Sequence, residues 1–84
     1  MTVFLAWTSA AVPRDLAGPW EEIFRATPDL LLVSSTESLS RVYHELKWAL
    51  PDRASLLVTP LMSRPKLKGL RPGTQTWLRD RLRG

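Results

Sequence analysis

Gly18–Val33 reads GPWEEIFRATPDLLLV, and the fold turns on it. Gly18-Pro19 has the form of a helix start. Proline suits the first helical position, where its fixed φ is helical and its missing N–H would have had no partner. Glu21 and Glu22 follow in the first turn, at the positive end of the helix dipole. Trp20, Ile23 and Phe24 supply an apolar side, and Thr27-Pro28 ends the segment after about two turns. Leu30–Val33 is then a short continuous apolar run, the pattern of a strand buried on both faces.

Two similar runs flank this stretch. Thr2–Trp7 (TVFLAW) reads as a first strand and Ser55–Leu61 (SLLVTPL) as a third, with Pro60 near its end, where a missing donor is tolerated. Ser34-Ser35-Thr36-Glu37 has capping-box form: the Ser34 hydroxyl accepts from the third helical amide and Glu37 reaches back. The helix it opens runs to Leu50 and stops at Pro51. Leu39, Val42, Tyr43, Leu46, Ala49 and Leu50 fall within an arc of about 120°, a core-facing stripe. Residues 61–73 hold prolines and glycines and read as a basic loop without regular structure. Thr74 caps a short basic C-terminal helix within 74–83.

The order strand, helix, strand, helix, strand, loop, helix predicts a single α/β domain over residues 1–84. Its expected core is a small three-stranded, mainly parallel sheet with packed helices, joined by right-handed crossovers. A ferredoxin-like α+β arrangement is the alternative; it needs a hairpin between the middle strands and a fourth strand.

Composition narrows the chemistry. The chain has 84 residues, no cysteine and one histidine. Disulfides, thiolate metal sites and a multi-histidine zinc site within one chain are therefore excluded, and no metal or cofactor is expected. So short a chain buries a small share of its surface, which makes a homo-oligomer the expected support. Four tryptophans (Trp7, Trp20, Trp48, Trp77) each bring about 150–250 Å² of surface to bury. No apolar run approaches the roughly 20 residues of a membrane span, so no membrane partner is expected. The opening MTVFLAWTSAAV lacks the basic start of a secretory signal, and the cysteine-free composition fits a cytoplasmic protein.

Charge is split unevenly along the chain. From Leu61 to Gly84 stand Arg64, Lys66, Lys68, Arg71, Arg79, Arg81 and Arg83 against the single acid Asp80, whereas residues 1–60 carry five bases and seven acids. A cationic arm on a slightly acidic body calls for an anionic partner: nucleic acid or an acidic protein surface. Arg64, Lys66, Lys68, Arg71, Arg79 and Arg83 are the candidate contacts, because each base laid on a phosphate releases a counterion. The plainer alternatives are a solubilising tail and an arm docked on a partner subunit.

Two further constellations follow from the expected parallel sheet. Its carboxyl ends would gather Ser9, Ser34 and Ser35 beside the helix amino terminus, with Arg14 in the adjoining loop, as a small-anion edge. The plainer reading makes Ser34 a cap and Ser9 a strand end. Trp48 falls on the polar face of the long helix beside Arg41 and His44, so it asks for cover, either by the chain's own basic segment or by a second chain. His44 reads as a surface residue, since no nucleophile or orienting carboxylate accompanies it. No acid–base pair, triad or glycine-rich phosphate loop is present. The expected function is a small non-enzymatic binding module with a basic arm for nucleic acid. The alternative is an assembly subunit that oligomerises through the long helix around Trp48.

Overall fold

A computed structural model describes residues 1–82, and it is α+β, not α/β. Four strands, β1 (Thr2–Thr8), β2 (Glu22–Thr27), β3 (Leu30–Ser35) and β4 (Leu56–Leu61), form one sheet in the order β2-β3-β1-β4. Every neighbouring pair is antiparallel. Two helices, α1 (Leu39–Ala49) and α2 (Thr74–Arg81), complete the chain. The three-stranded, mainly parallel sheet is thereby overturned.

The difference lies in Glu22–Thr27, which is a strand where a helix was expected. Its side chains alternate. Ile23 joins the apolar cluster on one face of the sheet, and Phe24 and Ala26 join the cluster on the other. Pro28-Asp29 turns the chain directly into β3, pairing Thr27 with Leu30, and the Thr27 hydroxyl accepts from the Asp29 amide at 3.1 Å. The register slips by one residue between Arg25 and Thr27, so Ala26 bulges. Gly18-Pro19 makes a tight turn, with the Trp20 amide bonded to the Gly18 carbonyl at 2.8 Å, and opens no helix.

The hairpin reorganises the whole sheet. β1 and β2 run parallel but flank β3, and β3 and β4 run parallel but flank β1. Of the two expected crossovers, β3 to β4 keeps its parallel direction but not its adjacency, whereas Thr2–Thr8 and Leu30–Ser35, expected to be parallel, are antiparallel neighbours. These interlaced crossovers are those of the ferredoxin-like alternative. Here residues 9–21 replace the first helix with an irregular connection, and α2 covers the opposite face.

Each face has its own core. On one, Phe4, Ala6, Leu31 and Val33 meet Val42, Leu46 and Leu50 of α1, with Val12, Leu16 and Trp20 of the irregular connection filling the place of the missing helix. On the other, Val3, Leu32 and Ala26 meet Trp77 and Leu78 of α2, joined by Leu67 and Leu70 of the basic loop. Helix boundaries shift accordingly. β3 runs on through Ser35, and Ser38 caps α1, its side chain accepting from the Arg41 amide at 3.1 Å. Gly73, at φ +94°, precedes α2, and Thr74 lies inside it, donating from Oγ1 to the Arg71 carbonyl at 2.6 Å. Among the described residues no helix is long and apolar enough to cross a membrane.

Candidate anion-binding groove

The basic segment is more ordered than its prolines and glycines suggest. From Arg64 to Lys68 burial alternates: Pro65 and Leu67 turn inward, while Arg64, Lys66 and Lys68 stand exposed. In an extended segment alternate side chains share a face, about 7 Å apart. Leu67 and Leu70 dock in the α2 core, which fixes the segment to the sheet. The three bases therefore project from an anchored backbone.

The first turns of α2 face this segment. Arg64 and Lys66 on one side and Gln75, Thr76 and Arg79 on the other line an open groove of about 440 Å³, floored by Leu67 and Leu78. Among the described residues no carboxylate lines it. Arg79 keeps a long contact with Asp80, at 3.5 Å between two exposed groups. Such a pair contributes little and yields readily to a stronger anion. No aspartate or glutamate among the described residues pairs with Lys66 or Lys68. Gln75 and Thr76 escape sequence reasoning, because neither bears charge and only the packing of α2 brings them to the groove.

Arg71 and Arg81 serve elsewhere. The Arg71 guanidinium lies 4.8 Å over the Phe24 ring, and its amide bonds the Ala26 carbonyl at 3.0 Å. It lines a shallow depression on the other side of β2 together with Arg14 and Arg25. Arg81 packs 4.1 Å over Trp77 and bonds the Glu22 carboxylate through Nε at 3.1 Å and through Nη2. The Trp77 indole donates to the same carboxylate at 3.3 Å. The Arg81 hydrogen bonds chiefly hold the Glu22 carboxyl below its ordinary range; desolvation opposes them, and the Trp77 bond and Arg81 charge assist. Lys68 stands exposed beyond the groove. Arg83 lies outside the described residues.

The small-anion edge does not assemble. An antiparallel sheet puts the carboxyl ends of β1 and β3 at opposite ends, since Thr2 faces Ser35 and Trp7 faces Leu30. Ser9 Oγ accepts from the Ser55 amide at 2.7 Å. Ser35 Oγ donates to the Pro19 carbonyl and accepts from the Glu37 amide at 3.0 Å, and Ser34 Oγ donates to the Met1 thioether. All three serve as ties between segments, and Arg14 lines a depression beside Thr27 and Pro28.

Arg41, His44 and Trp48 do come together on the exposed face of α1. Arg41 reaches Glu37 at 3.6 Å and Glu45 at 3.7 Å. His44 bonds the Ser40 carbonyl through Nδ1 at 2.7 Å and packs its ring 5.8 Å from that of Trp48. Trp48 is 69% exposed. Cover by the chain's own basic segment is ruled out, because that segment lies on the opposite face of the sheet. No group of three or more metal-ligating side chains gathers among the described residues. The chain matches no protein-family model, no curated protein and no solved structure.

Proposed function

We propose that the chain is a small non-enzymatic binding module whose groove between residues 64–67 and α2 receives the phosphate backbone of nucleic acid, with the cytoplasm as its setting. The observation that carries this reading is the convergence of Arg64, Lys66 and Arg79 on one open groove. Lys68 extends the same cationic line. An irregular, sequence-neutral backbone suits such an array, since phosphate contacts position a strand without reading its bases. Among the described residues the groove offers no exposed aromatic for base stacking, and Trp77 is buried under Arg81. The reading therefore favours backbone contact over sequence recognition.

Titration of labelled DNA and RNA, single- and double-stranded, at low and moderate salt tests it. Binding should appear at low salt and weaken steeply as salt rises. No binding at low salt, or binding indifferent to salt, would sink the reading. A second reading, an assembly subunit that meets its own kind through α1, is favoured by the exposure of Trp48.

A further inference from the structure

The two edges of the sheet differ. β2 is blunted in three ways: it carries the charges of Glu22 and Arg25, it bulges at Ala26, and the Arg71 amide occupies the Ala26 carbonyl. These are common means of keeping an edge from pairing. β4 has only Pro60. Its sequence, LLVTPL, bears no charge, and residues 54–63 around it bear none either.

The ladder defines what that edge offers. The Ser9 amide bonds the Ser55 carbonyl at 3.0 Å, continuing the register that pairs Trp7 with Leu57 and Leu5 with Thr59. Hydrogen-bonded pairs alternate along an antiparallel ladder. Leu57, Thr59 and Leu61 therefore point their backbone groups at β1, and Leu56, Val58 and Pro60 point theirs outward. Pro60, without an N–H, sits at an outward position, as an edge requires. The amides and carbonyls of Leu56 and Val58 have no partner among the described residues.

Apolar side chains frame this open ladder. On the α2 side stand Leu57, 55% exposed, and its cross-strand neighbour Trp7, 43% exposed. On the α1 side a cleft of about 270 Å³ runs from Leu56 to Tyr43 and Trp48, and it carries Lys47 and Asp52, one charge of each sign. A chain of formal net charge +4 can meet its own copy here without opposing like charges.

We infer that a second copy of this chain pairs with β4, antiparallel about a twofold axis, to form one continuous eight-stranded sheet with the two Trp48 clefts closing against each other. The pairing rests on the assembly reading but moves its centre from the helix to the strand. Backbone hydrogen bonds from Leu56 and Val58 supply the register, as in other edge-strand additions. Leu57, Trp7 and Trp48 supply the apolar contact.

Two measurements on the full chain decide it. Sedimentation velocity across a concentration range should find a dimer. Hydrogen exchange followed by NMR should find the Leu56 and Val58 amides protected in the dimer and exchanging on the order of 100-fold faster on dilution to monomer. The double variant Leu57→Lys/Thr59→Lys sets like charges across the twofold while leaving the α1 core intact, and should weaken dimerisation roughly tenfold or more. A wild-type chain that stays monomeric up to millimolar concentration overturns both this pairing and the assembly reading, whether or not the edge then accepts a foreign strand. A dimer whose Leu56 and Val58 amides exchange as fast as loop amides overturns the strand pairing alone. So does a dimer indifferent to the two lysines. If the lysine variant fails to fold, the wild-type exchange pattern decides.

Discussion

Arg81 in the last turn of α2 grips Glu22 at the start of β2, and its guanidinium lies 4.1 Å from the centre of the Trp77 ring while it does so. One carboxylate thus receives both the arginine and the indole N–H of the same helix. The consequence is a helix of only eight residues, too short to persist alone, pinned to the outer strand through Glu22 and Phe24. The pin also withdraws Arg81 from the cationic surface.

That pin makes the fold acid-sensitive in a defined direction. The folded Glu22 carboxyl titrates below its unfolded value, so its stabilisation is complete above the unfolded glutamate range and is lost as pH falls through the folded value. Urea midpoints of the wild type and Glu22→Gln should differ near neutrality and converge in strong acid. The gap is modest, at most about 1 kcal/mol, because the pair is partly solvated. A constant gap at every pH would show that the charge is not what matters.

Trp77 and Trp48 should respond oppositely to truncation. Trp77 is buried between Phe24, whose ring centroid is 5.6 Å away, and Arg81. Trp77→Ala should cost about 3–5 kcal/mol, enough to unfold a domain of this size. Trp48→Ala should change the monomer's stability by less than about 0.5 kcal/mol. Chemical denaturation of both variants at low protein concentration measures the contrast.

The groove predicts a graded salt response. Lys66→Gln and Arg79→Gln should each make the slope of log affinity against log salt shallower by about 0.7–0.9 and weaken all nucleic acids alike. Arg53→Gln, in the turn after α1, should leave the slope unchanged. Equal effects from all three would place the bound strand elsewhere.

Gly18 leaves no room for a side chain. A Cβ there would lie 2.3 Å from the Trp20 ring, which folds back over it into the α1 core. Gly18→Ala should destabilise by about 1–3 kcal/mol through forced displacement of that ring. Combining it with Trp20→Leu should cost less than the sum of the two, since the obstruction is then gone. Thermal melts of the four proteins in the cycle test this.

Much of the fold was legible where one pattern dominates. Three continuous apolar runs became strands, and of the stripe Leu39, Val42, Tyr43, Leu46, Ala49 and Leu50, the residues Val42, Leu46 and Leu50 are buried while Leu39 is 41% exposed. β2 was not, because GPWEE carries every local mark of a helix start while the alternation of EIFRAT spans only six residues. Tertiary pairing with Leu31–Ser34 outweighed that local preference. The error propagated: a helix in place of β2 implies parallel neighbours, and parallel neighbours imply a serine edge that an antiparallel sheet disperses. The cationic contacts were legible as charges but not as a groove. Arg64 and Arg79 are fifteen positions apart, and only the docking of Leu67 and Leu78 on a common core sets them face to face.

The unequal edges bear on what self-association can become. A sheet open at both sides recruits copies without limit and grows into a fibre. Here the bulge at Ala26 and the Arg71 amide obstruct the far side. Joining at β4 would thus exhaust the available ladder in a single step, and assembly would terminate at a closed pair.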